Sequence, residues 1–145
     1  MACDHAAFEL KTQIIDYLDE LSYEIEDFGA FSENRVDYPD IISKAAFAVS
    51  KGECEKGIFL CGSGVGASIV ANKVPGIRAV LCFSEYIAEM SRRHNDANVL
   101  VLAGRLVTFE LAKRYIDVWM NSPFDGGRHQ DRLDKIKVLE QKIKE

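Results

Sequence analysis

Residues 57–68 read Gly-Ile-Phe-Leu-Cys-Gly-Ser-Gly-Val-Gly-Ala-Ser, a short apolar run followed at once by a glycine-rich stretch. An apolar run of this length, Gly57 to Cys61, is typical of a strand that is buried on both faces of a parallel sheet. The glycines that follow allow a tight turn, and a helix is predicted after them. This unit of strand, glycine loop and helix predicts an α/β fold.

The rest of the chain repeats the alternation of apolar strands and amphipathic helices. Further strands are predicted at Tyr23–Phe28, Ile77–Cys82 and Asn98–Leu102, and helices at Ala6–Leu21, Asp37–Val49, Ser84–Arg93 and Thr108–Met120. This order predicts a single domain over residues 1–145, a Rossmann-like α/β/α sandwich with a parallel sheet of about five strands. In such sheets ligands bind beyond the carboxyl ends of the strands.

The last stretch, Gln130–Glu145, is highly charged but carries an apolar stripe along one helical face. The stripe consists of Leu133, Ile136, Leu139 or Glu140, and Ile143. An apolar helix face needs a partner, and the periodicity leaves two partners open. The helix packs either on its own domain or across a dimer interface.

The composition argues against several classes of protein. The net charge is -5 and the pI is about 5.3, whereas a nucleic-acid binder usually presents a basic stripe. No apolar run approaches the roughly 18 residues that a membrane span requires. The amino terminus lacks the features of a secretory signal. We therefore expect a cytoplasmic protein with no nucleic-acid or membrane partner.

Four cysteines occur at irregular spacings: Cys3, Cys54, Cys61 and Cys82. They include no Cys-x-x-Cys pair, and no histidine lies at the spacing of a zinc site. We expect reduced thiols and no metal site.

The glycine loop predicts an anion-binding site. The backbone N–H groups of closely spaced glycines can point at one place, and the N-terminus of the next helix adds about half a positive charge. The Cys61 thiol stands at the edge of this loop. Its pKa is expected to fall below about 8.5, because the same partial charges favour the thiolate.

Two other interpretations of the loop stay open. Cys61 is also explained as a small buried residue at the end of a strand, beside glycines that only make a turn. The loop further satisfies a relaxed dinucleotide-binding pattern, Gly62-x-Gly64-x-x-Ala67, with Glu85 about 20 residues on. Against this second interpretation, the loop follows an interior strand, and a cysteine before the first glycine has no role in nucleotide recognition.

Other polar groups lie where helices and strands are predicted to end. Each of them alone has an ordinary explanation, such as a helix cap or a surface ion pair. Because all of them fall on loops, we expect them to share one rim of the sheet and to form a polar small-molecule site. The segments are Cys3–His5, Asp37–Pro39, Ser91–Asn98, Gly104–Arg105 and Gly126–His129.

Five motifs together resemble the ribose 5-phosphate isomerase B family, also called the RpiB/LacA/LacB family, along essentially the whole chain. They are Asp-His-Ala-Ala-Phe at Asp4, Asp-Tyr-Pro at Asp37, Cys-Gly-Ser-Gly-Val-Gly at Cys61, His-Asn-Asp-Ala-Asn-Val-Leu at His94 and Gly-Gly-Arg-His at Gly126. The resemblance implies an enzyme that interconverts ribose 5-phosphate and ribulose 5-phosphate through a cis-enediolate. It also implies that the enzyme uses no metal or redox cofactor.

The resemblance implies roles for the residues at these positions. Cys61 matches the base that moves a proton between C2 and C1, and the N–H groups from Gly62 to Gly66 would stabilise the enediolate. Ser63 would assist proton transfer between the two oxygens. His94 matches the acid/base group that opens the furanose ring, and Asp4 would act with it by contacting a sugar hydroxyl.

The same matching implies a set of substrate-binding residues. The phosphate would be held by His5, Arg105, Arg128 and Arg132, and Asn95 would bind sugar oxygens. Tyr38, Gly62, Gly64, Val65 and Gly66 complete the predicted binding set.

The resemblance also bears on assembly and on the start of the chain. Members of the family are dimers with active sites between subunits, and some pair further into tetramers, so the terminal helix is expected to pack on a partner. The family has a short strand before the Asp-His motif, whereas only Met1, Ala2 and Cys3 precede Asp4 here. We expect either an omitted or altered start or a sheet that lacks most of this strand.

Two alternatives to the ribose 5-phosphate assignment remain. Galactose 6-phosphate and allose 6-phosphate isomerases share the chemistry but accept a six-carbon sugar. We favour the five-carbon substrate because one chain carries all the catalytic positions, whereas the galactose enzymes consist of two different chains. From another class, the chain could be a nucleotide- or phosphate-binding module that uses the glycine loop without catalysis.

Overall fold

The computed structural model describes residues 1–145 and contains one sheet of four parallel strands, in the order β1-β2-β4-β3. The strands are β1 (Ala2–Cys3), β2 (Gly57–Cys61), β3 (Ala79–Leu81) and β4 (Val99–Ala103). A short 3-10 turn, His5–Ala7, precedes the first helix. The helices are α1 (Phe8–Glu20), α2 (Tyr38–Ser50), α3 (Val65–Lys73), α4 (Glu85–Arg93), α5 (Phe109–Asn121) and α6 (Arg128–Lys144).

The structure confirms the α/β class and most of the predicted elements. The predicted strand Gly57–Cys61 is observed with the same bounds. The predicted starts of two helices are their N-caps, since the side chains of Ser84 and Thr108 accept hydrogen bonds from Ile87 N and Leu111 N. Hydroxyl groups at these positions satisfy backbone donors that a helix leaves unpaired.

The segment Tyr23–Phe28 does not form the predicted strand, and the sheet therefore has four strands where about five were expected. The chain nevertheless runs beside β1. Phe28 N donates to Met1 O, Cys3 N to Gly29 O and Ala30 N to Cys3 O. A regular parallel ladder would join Cys3 N to the carbonyl of residue 28, so the regular pattern is interrupted at Gly29. Gly29 has a φ of 101°, which a glycine adopts readily.

The first strand contains only two residues, but it lies inside the sheet layer. Ala2 and Cys3 are fully buried and pair with Phe59 and Leu60 of β2. On its other side, β1 bonds to the segment that contains Gly29. The short strand thus has hydrogen-bonded neighbours on both sides, and it places Asp4 directly beyond the end of the sheet.

Helices cover both faces of the sheet and form two apolar clusters. One cluster contains residues of α1, α4 and α5, such as Ile14, Ala88 and Ile116. The other contains residues of α2 and α3, such as Ile42 and Ala67. Successive residues of β2 contribute to opposite clusters, as do those of β4 up to Leu102, because side chains alternate across a strand.

Helix α6 buries side chains only near its start and makes one polar contact with the rest of the chain nearer its end. His129 and Leu133 are buried, and the carboxylate of Glu140 accepts a hydrogen bond from Gly76 N at 2.9 Å. Further apolar side chains of the helix are exposed: Ile136, Val138, Leu139 and Ile143. The sequence left open whether the apolar stripe packs on its own domain or on a second subunit. The chain's own domain does not cover this stripe beyond Leu133. As for membranes, the helices all lack the length or the hydropathy needed to cross one.

A buried lysine attaches the segment beside β1 to the first helix. The Lys11 side chain is 1% exposed, and its Nζ donates to Asp27 Oδ1 at 2.5 Å and to Ala30 O at 2.7 Å. The same ammonium group lies 5.3 Å from the ring centroid of Phe31. A buried charge without such partners would be strongly unfavourable. The pair therefore fixes the path of residues 27–31 along β1.

We expect Asp27→Asn to lower the free energy of unfolding by about 3 kcal/mol, because the buried Lys11 ammonium loses its counter-charge. Urea denaturation would measure the change. Asp134→Asn is a suitable control, since Asp134 and Lys137 are both exposed and 3.9 Å apart. Removing that carboxylate should cost less than about 0.5 kcal/mol. Equal effects of the two substitutions would contradict the assigned role of Asp27.

Candidate active site

The loop between β2 and α3 requires glycine at its centre. Gly64 is the N-cap residue of α3 and has a φ of 77°. A Cβ atom built there would lie 2.5 Å from Cδ1 of Leu81 and 3.3 Å from the carbonyl of Leu102. Both the backbone conformation and the lack of space therefore exclude a larger residue. The tight turn brings the loop against β3 and β4.

Most backbone N–H groups of this loop donate no hydrogen bond within the chain. They belong to Gly62, Ser63, Gly64, Gly66 and Ala67. The N–H of Val65 donates to the Ser63 hydroxyl at 3.3 Å. Unpaired amides at the N-terminus of a helix form a site for anions, because they add their partial charges to that of the helix. The geometry is that of the predicted anion-binding loop.

Cys61 is the last residue of β2 and stands directly before these amides. It pairs with Ala103 of β4, is 4% exposed and belongs to the apolar cluster of α2 and α3. Burial alone would fit a cysteine that only packs. What distinguishes Cys61 from the buried Cys3 and Cys82 is its position next to the unpaired N–H groups.

Two further predicted site residues lie against the glycine loop. The guanidinium group of Arg105 lies over Gly62, where a Cβ atom would be 3.0 Å from Nη1 of the arginine. The ring of Tyr38 lies over Gly66, where a Cβ atom would be 2.6 Å from Cζ. The glycines therefore leave room for a cationic and a phenolic side chain beside the amides.

Asp4 and His5 lie beyond the end of β1, at the same edge of the sheet. The N–H of Asp4 donates to Leu60 O, and its carboxylate accepts a hydrogen bond from Ala6 N at 3.0 Å. The Nδ1 atom of His5 lies 3.2 Å from both the N and the O atoms of Val36. This contact connects His5 to the segment that leads into Tyr38.

The remaining predicted residues lie at the opposite edge of the sheet, so the prediction that all the polar loops share one rim is wrong. His94 and Asn95 follow α4 and precede β4, and Arg128 and Arg132 lie in the first turns of α6, beside the end of α4. The amino end of β4 pairs with Gly57, and its carboxyl end pairs with Cys61. At about 3.3 Å per residue, the two ends are roughly 13 Å apart.

The second group of residues forms its own cluster around two stacked imidazole rings. The centroids of His94 and His129 are 4.3 Å apart, and the rings are nearly parallel. Burial lowers the pKa of His129, and the charges of His94, Arg128 and Arg132 lower it further. The ring is therefore kept neutral. His129 was absent from the predicted site residues, although it belongs to the Gly-Gly-Arg-His motif.

This cluster also contains a set of atoms that could hold a metal ion. Ligand atoms of His94, Asp125 and His129 lie within 4.8 Å of one another. However, the Asp125 carboxylate is bound by the guanidinium group of Arg93 at 3.2 Å, and the N-terminus of α6 carries two more arginines. This excess of positive charge favours an anion over a cation.

Two clefts of the chain are lined by none of the predicted site residues. The larger, of about 520 Å³, is lined by residues such as Met1, Tyr23, Glu26 and Cys54. The smaller, of about 240 Å³, lies between α1 and α5 and is lined in part by Tyr17, Phe109 and Lys113. Neither cleft therefore marks the site at the glycine loop.

Comparisons with known proteins identify close relatives. Residues 1–136 match the family described as Ribose/Galactose Isomerase. Ribose-5-phosphate isomerase B of Escherichia coli strain K12 is 49% identical over 140 residues, which cover 97% of this chain and 94% of that protein. D-erythrulose-4-phosphate isomerase of Pectobacterium atrosepticum is 39% identical, with 99% of this chain and 95% of that protein covered.

A solved structure agrees with these sequence relatives. Ribose-5-phosphate isomerase B of Clostridium thermocellum superposes with a TM-score of 0.96 at 49% identity, covering 98% of this chain and 96% of that one. The fold and nearly the whole length of the chain are therefore shared with proteins of one family. With its strand, glycine loop and helix in the same framework, the protein belongs to the ribose/galactose isomerase family.

Proposed function

We propose that the protein interconverts ribose 5-phosphate and ribulose 5-phosphate, with Cys61 as the base. The observation that carries the proposal is the row of unpaired N–H groups directly after this cysteine. The E. coli and C. thermocellum relatives, both named ribose-5-phosphate isomerase B, support the choice of substrate. The four free cysteines are typical of a reducing compartment, and we propose that the enzyme acts in the cytoplasm.

The reaction moves one hydrogen between two carbons. The Cys61 thiolate takes the proton from C2 of the open-chain aldose, a double bond forms between C1 and C2, and negative charge passes to O1. The unpaired amides of the loop would stabilise this charge. The Cys61 thiol then returns a proton to C1, while the proton on O2 leaves and a carbonyl forms at C2. Ser63 would carry the proton from O2 to O1, and its exposed hydroxyl in the same loop supports this role.

We propose that each active site combines residues of two subunits of a homodimer. Cys61 and His94 are at opposite edges of the sheet, so one chain cannot bring both to the same sugar. In the dimer, His94 of the partner subunit would open the furanose ring with Asp4. The phosphate would be bound by His5 and Arg105 of one chain and by the partner's Arg128 and Arg132. The exposed apolar face of α6 offers a surface for this contact, and a further pairing of dimers would give a tetramer.

The length of the sugar is the remaining choice. The relative named D-erythrulose-4-phosphate isomerase indicates that this framework also accepts a four-carbon sugar. The family description includes galactose, so six-carbon phosphates are the other alternative. We favour the five-carbon substrate because the E. coli relative with 49% identity is named ribose-5-phosphate isomerase B. Turnover of four-, five- and six-carbon sugar phosphates by this one chain would separate the alternatives.

We expect the protein in heavy water to convert ribose 5-phosphate to ribulose 5-phosphate that carries deuterium at C1, as seen by NMR. Cys61→Ala should lower the rate by about 10²–10⁴-fold, because the proton loses its acceptor. Cys54→Ala is the matched control, since this thiol bonds to Glu26 far from the glycine loop. A module that only binds phosphate would show no exchange, and an active Cys61→Ala variant would refute the assignment of the base.

The shared active site predicts that two inactive variants restore each other. Cys61→Ala and His94→Asn are each expected to be inactive with ribose 5-phosphate. When equal amounts are unfolded and refolded together, half of the dimers contain one chain of each kind, and one of their two sites is intact. Activity should therefore return to about a quarter of the unsubstituted level. If the mixture stays inactive while the unsubstituted protein recovers, each site belongs to a single chain.

A further inference from the structure

The turn between α4 and β4 is closed by an aspartate in an unusual backbone conformation. The N–H of Ala97 donates to Ser91 O at 2.9 Å, and that of Asp96 donates to Arg92 O at 3.1 Å. These two hydrogen bonds reach back six and four residues and close the C-terminal end of α4, where a residue in the left-handed conformation is usually glycine. Here that residue is Asp96, with a φ of 45°. A side chain thus occupies a position that the backbone alone would leave to glycine.

The Asp96 carboxylate lies between two guanidinium groups. Its Oδ1 accepts from Arg92 at 2.8 Å, and its Oδ2 accepts from Arg78 at 3.4 Å. The same arginines bind the backbone of the turn. Arg78 donates to the carbonyls of Asn95 and Asp96 at 2.9 Å each, and Arg92 donates to that of Ala97 at 2.7 Å. Arg78 and Arg92 thus bind the carbonyls of three consecutive residues, 95–97. The negative charge of the Asp96 carboxylate offsets the repulsion between the two guanidinium groups.

Both arginines are fixed by the body of the domain. Arg92 is 12% exposed and lies over the indole ring of the fully buried Trp119. Arg78 is 24% exposed, and its N–H donates to the side chain of Asn98 at 2.8 Å. The Asn98 side chain in turn donates to Gly76 O. The turn is therefore attached to α5 on one side and to the segment before β3 on the other.

Two of the residues assigned to the proposed active site are carried by this turn. His94 ends α4 two residues before Asp96, with its ring stacked on His129. Asn95 is exposed, and its carbonyl is one of those that Arg78 holds, whereas its side chain has no partner in the chain. A shift of the turn would move both side chains relative to a sugar bound at the other subunit.

We propose that Asp96 is a positioning residue, which by balancing Arg78 and Arg92 holds the turn where His94 and Asn95 meet the sugar. This inference rests on the isomerase function proposed above and adds a residue that does not itself touch the substrate. It predicts a specific defect. Loss of the Asp96 charge should lower the rate of ring opening but leave the rate of proton transfer by Cys61 unchanged.

Two reactions of the same protein separate these steps. Ribose 5-phosphate is mainly a furanose and must be opened before its C2 proton becomes acidic. Ribulose 5-phosphate cannot close a furanose ring, because its C5 oxygen carries the phosphate. Exchange of its C1 hydrogen with heavy water therefore needs the Cys61 chemistry but no ring opening.

The test is Asp96→Asn, which keeps the shape of the side chain and its tolerance of the left-handed conformation but removes the charge. We expect turnover of ribose 5-phosphate to fall on the order of 10²-fold, while C1 exchange with ribulose 5-phosphate stays within about twofold of the unsubstituted rate. Glu85→Gln is the matched control. It removes a carboxylate from an arginine pair, that with Arg114, at the other end of α4. It should leave the ratio of the two rates unchanged.

Several results would overturn the proposal. An equal loss of both reactions, with a lower melting temperature, would show that Asp96 only supports folding, and unchanged rates would show that it has no role. If Asp96→Asn does not fold, Arg78→Lys provides the second measurement, since lysine keeps the charge but not the fork that holds two carbonyls. The same split between the two reactions is expected. If the unsubstituted protein catalyses neither reaction, the proposed function itself fails, and this inference fails with it.

Discussion

The parallel hydrogen bonding between β2 and β4 is the constraint on which the site depends. The pairing continues past both strands, because Gly104 N donates to Cys61 O at 2.8 Å and Arg105 N donates to Gly62 O at 3.0 Å. The backbone just after β4 thereby occupies the carbonyl groups of Cys61 and Gly62, whereas the amides of the loop stay unpaired. The same pairing carries Arg105 to the edge of the glycine loop. One ladder thus positions both the thiol and a cation for an anionic ligand.

The direction of the strands also explains why one chain holds two separate polar clusters. In an α/β unit, loops that follow strands lie at the carboxyl edge, and loops that follow helices lie at the amino edge. The Cys61 loop is of the first kind, and the His94 turn is of the second. Each cluster is cationic at its rim, so both suit the same anionic ligand. In the proposed homodimer, a two-fold axis between the chains would bring the two clusters together without any change in the fold.

Much of the fold could be predicted from sequence because the periodicity is strong where burial is complete. The strand Gly57–Cys61 is apolar throughout and is buried throughout. The prediction at Tyr23–Phe28 failed because the hydrogen bonding beside β1 departs from a regular ladder at Gly29, and hydrophobic pattern carries no signal for the exact pairing of strands. The error about a common rim came from grouping polar loops without separating those that follow strands from those that follow helices. The periodicity of α6 alone could not identify its partner, since an apolar stripe indicates burial but not by which chain, and only the family resemblance pointed to a second subunit.

The last helix has a consequence for the life of the protein in the cell. Helices of this length are marginal in water unless tertiary contacts support them, and α6 is supported by its own chain mainly through Leu133 and the Glu140 contact. In the proposed homodimer α6 packs on the second copy, so a newly made chain without a partner would carry a frayed helix with exposed apolar side chains. Such a helix is a substrate for proteases and chaperones, so the lifetime of each molecule would rise with the number of copies present. The cellular concentration of the protein and its resistance to degradation would then depend on each other through α6.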